Sequence, residues 1–140
     1  MAAYDTVKTA KTYCYEIKVT KSMNHADLIL KGFWNETDEM QYYVEDVKAA
    51  ADMLKPGFTF IVNMSNYSGC ISKYLTFTIE AQKYLVSKGL KVTAEILPPN
   101  PMLRQICEML SKESGMKTEY FHDRVSAEKW LFLNRKDHKK

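Results

Sequence analysis

Residues 58–74 read FTFIVNMSNYSGCISKY, and this stretch decides how the rest of the chain is interpreted. Its first five residues are an uninterrupted apolar run of β-forming residues, which is typical of a strand covered on both faces. A helix is predicted over residues 72–88, with Gly89 as its end. The inward face of that helix is predicted to be Tyr74, Thr78, Ala81 and Leu85. Residues 63–71 are then predicted to form a polar loop between a central strand and a helix.

The residues before this stretch predict a hairpin and a helix. Residues 12–20 and 26–33 are rich in β-forming residues and are separated by a short polar turn, so we expect two antiparallel strands. Residues 35–54 carry apolar side chains at helical spacing, and Pro56-Gly57 ends that helix.

The residues after it alternate between strands and helices. Strands are predicted over residues 91–97 and 117–121. Asn100 followed by Pro101 predicts the start of a third helix, and Ser126 is predicted to cap a fourth. The order β-β-α-β-α-β-α-β-α predicts an α/β fold with a mostly parallel five-stranded sheet, an antiparallel first hairpin and about four helices.

The length of 140 residues fits one domain. We predict an N-terminal extension over residues 1–11, a single domain over 12–133 and a basic flexible tail over 134–140. The chain has no apolar run of the roughly 18 residues that span a bilayer, and its first residues lack the apolar segment of a secretory signal. We therefore expect a cytoplasmic protein without a transmembrane segment.

The charge of the chain argues against a nucleic-acid partner. The net charge is +3, and the last ten residues contain four basic residues and one acidic residue. That difference of +3 equals the whole charge, so residues 1–130 are formally neutral. A nucleic-acid surface needs clustered basic residues on a folded face.

The three cysteines, Cys14, Cys70 and Cys107, are far apart and form no CxxC pair. The sequence therefore predicts free thiols, with no metal site and no cofactor. Cys70 follows Gly69 near a predicted helix start, where a thiolate nucleophile is favoured. No base is evident beside it, so we predict a non-enzymatic protein.

Polar residues at the carboxyl end of the central strand are the candidate binding residues. They are Asn63, Ser65, Ser68 and Ser72. Open α/β sheets bind ligands at this edge, so one interpretation of these residues is a site for a small apolar or anionic ligand. The alternative is a turn whose polar side chains satisfy their own backbone, with Ser72 as a helix cap.

A second candidate is an aromatic group where the second strand meets the first helix. It contains Trp34, Tyr42 and Tyr43. These side chains are predicted to pack in the core. If they are exposed instead, they mark a partner surface or an apolar pocket.

The element order and three segments resemble the STAS family, whose type members are the SpoIIAA-like anti-sigma-factor antagonists of bacteria. The segments are FTFIVNMS, LPPNPMLRQICEML and SGMKTEYFHDRVSAEKWLF, and the resemblance covers roughly residues 12–132. It implies a non-enzymatic regulatory or interaction module whose partner is another protein. It also implies a phosphoacceptor serine at Ser72, although Ile71 stands where the family has an Asp. Free edge strands would allow a homodimer.

Overall fold

The computed structural model describes residues 5–35 and 42–138, with side chains described up to Asn134. In these ranges the chain forms one six-stranded sheet and four α-helices. The strands are β1 Thr6–Lys11, β2 Tyr15–Thr20, β3 His25–Trp34, β4 Thr59–Cys70, β5 Val92–Ile96 and β6 Thr118–Phe121. The helices are α1 Tyr43–Asp52, α2 Lys73–Ser87, α3 Pro101–Ser114 and α4 Arg124–His138.

The strands lie side by side in the order in which they occur in the chain. The β1–β2 and β2–β3 pairs are antiparallel, and the pairs from β3 to β6 are parallel. Each new parallel strand is added on the same side of the sheet, so right-handed crossovers put α1, α2 and α3 on one face. Residues of these helices belong to the larger core, and α4 covers the other face. The predicted α/β fold with an antiparallel first hairpin is confirmed.

The number of strands differs from the prediction, because Thr6–Lys11 forms a strand rather than an extension. This strand lies at the edge of the sheet and is largely exposed, so it lacks the alternation of apolar and polar residues that a half-buried strand shows. At the other end of the chain, α4 continues to His138 and includes part of the predicted tail.

The predicted loop over residues 63–71 is wrong for most of its length, because β4 continues to Cys70. Two register shifts against β3 each leave one extra residue on β4. β5 pairs with β4 only as far as Asn63, so the last part of β4 forms a two-stranded ribbon with β3. The positive φ of Gly32 (66°) and of Gly69 (106°) fits the bulged backbone of this ribbon.

The helix ends test three predicted caps. The Asn100 side chain accepts hydrogen bonds from two backbone N–H groups of α3, so this cap is confirmed. Asp123, and not Ser126, caps α4: its carboxylate accepts from the Ser126 backbone N–H at 2.8 Å. Ser72 precedes α2 but makes no capping hydrogen bond, so that predicted cap is wrong. The predicted first turn of the first helix, residues 36–41, lies outside the described residues.

Candidate functional site

Three of the predicted binding residues lie on β4 and not in a loop. Asn63 is half-buried and its side-chain oxygen accepts hydrogen bonds from the Ser65 backbone N–H at 3.0 Å and from the Ser65 hydroxyl at 2.7 Å. These bonds fit the alternative interpretation from the sequence, in which polar side chains of this segment hydrogen-bond to the segment's own backbone. Ser65 and Ser68 are exposed. These three side chains do not line the cavity between the sheet and the helices.

Ser72 is separated from them and lies at the start of α2. Its backbone is already helical, with φ −59° and ψ −30°, whereas a capping residue has an extended backbone. The side chain is exposed and lines the mouth of the cavity. Ser72 is thus the only one of the four predicted binding residues that contacts this cavity.

The aromatic group divides into a buried part and an exposed part. Trp34 is 0% exposed, and its indole N–H donates to the Cys14 carbonyl at 3.1 Å. Its ring packs edge-to-face on Tyr43 at a centroid distance of 4.9 Å and on Tyr67 at 5.4 Å. Tyr42 is 57% exposed. Trp34 and Tyr43 are therefore core residues, and Tyr43 also lines the cavity.

A cavity of about 230 Å³ lies between the sheet and helices α1, α2 and α3. The sheet contributes apolar side chains that include Leu28, Leu30, Val62 and Met64. The helices contribute Val47, Leu75, Ala81, Leu85, Leu103 and Ile106. The strand order never reverses, so the crevice that usually forms at a reversal is missing from the described sheet. The space lies instead beneath the helices, next to the ribbon formed by β3 and β4.

Glu95 is the acidic residue of the cavity wall, and it was not among the predicted site residues. It lies on β5 with 3% of its surface exposed and lines the cavity, while Ala94 and Ile96 on either side belong to the core under α4. Its Oε1 has no hydrogen-bond partner among the described residues. Burial raises the pKa of Glu95 to about 8, so the carboxyl is mostly neutral at pH 7. The signal in the sequence was a single acid within the apolar strand VTAEI.

The cysteines of the cavity are not activated as nucleophiles. Burial raises the pKa of the Cys70 thiol, and a hydrogen bond with Tyr67 lowers it only in part. Burial raises the pKa of Cys107 to about 12, and its thiol donates to the Met64 sulfur at 3.5 Å. The thiol form of both residues therefore predominates at neutral pH.

A second group of charged residues lies on the opposite face of the sheet. The His25 ring contacts the Thr59 hydroxyl at 2.8 Å and the Asp27 carboxylate at 3.5 Å. Arg124 pairs with Asp27 at 2.8 Å and with Glu128 at 2.7 Å. Burial would raise the pKa of Asp27, but its bonds with His25 and Arg124 lower it. Thr59 is fully buried and Arg124 is already paired, so we assign this group a structural role. Its ion pair between Arg124 and Asp27 links α4 to β3.

Within residues 5–35 and 42–138, no group of three or more His, Cys, Asp or Glu side chains is placed to hold a metal ion. None of the helices in these ranges is long and apolar enough to cross a membrane.

Comparison with known proteins shows the fold of the chain. No family model and no curated protein matches it. The structure is similar to the crystal structure of an uncharacterized DUF3478-family protein from Shewanella loihica PV-4, which has a SpoIIAA-like fold. The TM-score is 0.59 at 16% sequence identity, over 87% of this chain and 97% of that chain. The sheet, its helices and this similarity together show that the chain has a SpoIIAA-like fold.

Proposed function

We propose that this protein binds a small, largely apolar molecule in the cavity between the sheet and α1–α3, without catalysing a reaction. The observation that carries the proposal is the cavity itself, about 230 Å³ of space walled mainly by apolar side chains. This space lies under three helices and against the sheet, so a ligand there would contact apolar side chains on several sides.

The cost of leaving such a cavity unfilled supports this proposal. Large-to-small substitutions in protein cores cost about 24 cal/mol for each Å³ of cavity, so about 230 Å³ without any contents would cost at most about 5.5 kcal/mol. That cost is comparable to the whole net stability of many domains. A ligand that fills the space restores the missing contacts with the cavity wall.

The size and charge of the cavity limit the ligand. An engineered apolar cavity of about 150 Å³ binds benzene, so about 230 Å³ suits a molecule of roughly nine non-hydrogen atoms. The described cavity wall contains Glu95 but no Lys, Arg or His. Of the two ligand types expected from the sequence, an apolar molecule is therefore favoured over an anion.

Native mass spectrometry of protein purified from its own host tests the proposal. We expect the native mass to exceed the denatured mass by that of one small molecule. A second test adds propylbenzene to the protein freed of such a molecule and follows thermal unfolding. At a ligand concentration of about 100 Kd, binding contributes about 2.7 kcal/mol, which raises the Tm by roughly 8 °C.

A matched pair of α2 variants controls this second test. Ala81 is buried in the cavity wall, so Ala81→Leu fills part of the space, and we expect it to keep the fold but lose the Tm shift. Val86 is on the same helix but is 38% exposed and outside the cavity, so Val86→Leu keeps the shift. An equal response of both variants, or equal native and denatured masses with no Tm shift in wild type, overturns the proposal.

Ser72 favours a second candidate function, a regulatory module that binds another protein. Its hydroxyl is exposed and free of a capping bond, and the first turn of α2 contains no acidic residue. A phosphate at the start of a helix is stabilised by the helix dipole, by about 0.3–1 kcal/mol at an exposed site. Phosphorylation of Ser72 would also put negative charge at the mouth of the cavity.

Phosphate mapping of the denatured chain from the native host tests this second candidate. We expect phosphate on Ser72 and its loss in Ser72→Ala, whereas Ser68→Ala, which removes another exposed serine, keeps it. This second candidate function would be contradicted if Ser72 carried no phosphate and if wild type, Ser72→Ala and Ser72→Asp captured identical protein partners.

A further inference from the structure

The feature that defines the ligand more closely is the carboxyl of Glu95, the acid in the cavity wall. Its strand is buried along its whole length, and its Oε1 has no partner among the residues that the structure describes. A buried polar group without a partner costs free energy, and native proteins almost always satisfy such groups. A ligand with one complementary polar group would supply the missing hydrogen bond.

The environment of Glu95 decides which polar group is complementary. Because burial raises the pKa of Glu95 to about 8, the group is mostly a neutral carboxylic acid at pH 7. A neutral carboxyl has one O–H donor and further acceptor capacity. A hydroxyl group has both as well, so an alcohol can pair with Oε1 of Glu95 either as donor or as acceptor, whichever the position of the carboxyl proton requires.

Charged head groups fit less well. A carboxylate would be buried next to an acid, without a Lys, Arg or His in the described cavity wall. An ammonium group would lose its hydration and would also require Glu95 to ionise, and burying two ions is seldom repaid by their attraction.

We propose that Glu95 makes the cavity selective for neutral apolar alcohols or phenols, and that the cavity excludes carboxylates of the same size. This inference rests on the proposed function, since it names the ligand class of the same cavity. It adds that one hydroxyl on the ligand pairs with Glu95, while the rest of the molecule contacts the apolar wall.

Four compounds with one shared ring test the inference: phenethyl alcohol, propylbenzene, phenethylamine and phenylacetate. Their dissociation constants are measured by isothermal titration calorimetry with wild type, Glu95→Gln and Glu95→Leu. Since hydrocarbons leave water more readily than alcohols do, the informative quantity is the ratio of the alcohol and hydrocarbon constants in each variant.

We expect Glu95→Leu to weaken binding of phenethyl alcohol relative to propylbenzene by about tenfold in the ratio of their dissociation constants, because the ligand hydroxyl loses its partner. Glu95→Gln keeps a donor and an acceptor, so it keeps most of the preference for the alcohol. Phenylacetate and phenethylamine are expected to bind wild type more weakly than phenethyl alcohol.

The outcomes separate this inference from the proposed function. If the ratio of the dissociation constants of propylbenzene and phenethyl alcohol is the same in wild type and Glu95→Leu, the proposed ligand class is overturned. The apolar binding site would then still stand. Tighter binding of phenylacetate or phenethylamine than of phenethyl alcohol also overturns the ligand class. If none of the four compounds binds to wild type or to Ala81→Leu, the proposed function itself is overturned.

Discussion

Replacing Glu95 by Gln is expected to stabilise the protein more as the pH rises. Gln has nearly the same shape as Glu but cannot ionise. The wild-type carboxyl is 3% exposed, and burial raises its pKa from 4.5 to about 8. The folded state therefore holds a proton that the unfolded chain releases, which makes the stability of wild type depend on pH.

The sign and size of the effect follow from these two pKa values. A raised pKa means that the contribution of Glu95 to stability is fully present below about pH 4.5 and is lost as the pH rises toward 8. The loss approaches about 1.4 kcal/mol for each pH unit and totals about 5 kcal/mol. It has reached about 3 kcal/mol at pH 7. Between about pH 5 and pH 8.5, wild type should lose about 4 kcal/mol that Glu95→Gln keeps.

The neighbours of Glu95 do not obscure this effect. The side chains that sense its charge are Tyr43 on α1, Cys107 on α3 and Tyr120 on β6. Burial raises the pKa of all three, so they stay neutral in this range, and α2 adds the uncharged Gln82 and Thr78 to the cavity wall.

Urea unfolding of both proteins at a series of pH values measures the difference in the free energy of unfolding. Glu119→Gln, which removes an acid from the exposed surface of the next strand, controls for the loss of one negative charge. A difference between wild type and Glu95→Gln that does not change with pH would refute the reasoning, because it would mean that folding does not change the affinity of Glu95 for its proton.

Three smaller predictions concern caps, a glycine and a charge pair, each read from urea unfolding. Asn100→Ala should cost about 1 kcal/mol because two backbone N–H groups of α3 lose their acceptor, and Ser72→Ala should change stability by less than about 0.5 kcal/mol; equal costs would contradict the observed cap geometry. Gly89→Ala should cost about 2 kcal/mol or more, because φ is +103° and a Cβ would lie 2.8 Å from a proline backbone carbon. Gly115→Ala, where φ is +83° and a Cβ would meet open space, should cost about 1 kcal/mol. The reverse order of costs would be evidence against this packing. Asp27→Asn should lower the free energy of unfolding by about 2 kcal/mol at pH 7. Because the pKa of Asp27 is lowered in the folded state, the difference in stability between variant and wild type should shrink as the pH falls below about 4. A difference that stays constant with pH would exclude the ion pair as the cause of the lost stability.

Much of the fold was predictable because its elements carry local signals. The run FTFIV, the helical spacing after Ser72 and the pair Asn100-Pro101 each report on burial or capping within a few residues. The edge strand Thr6–Lys11 was not predictable in this way, since its order comes from backbone pairing with β2 and not from burial of its side chains.

The candidate site was predicted only in part, because its chemistry depends on contacts between distant segments. Polar residues after a strand predicted a loop, but β3 supplies backbone partners that keep 63–70 in the sheet. The cavity needs the sheet and three helices at once, so no single segment indicates it. Glu95 was detectable as an acid in an apolar strand, but its lack of a partner could be known only from the packed structure.

The cavity also makes the stability of the protein depend on pressure. Pressure favours the state that occupies less volume, and unfolding lets water enter internal voids. A void of about 230 Å³ would put the volume change of unfolding near the large end of the usual range, about −100 mL/mol, so each kilobar would lower stability by about 2 kcal/mol. A bound molecule would fill that volume and make the free energy of unfolding less dependent on pressure. Pressure therefore distinguishes the empty protein from the filled one without any knowledge of what fills it.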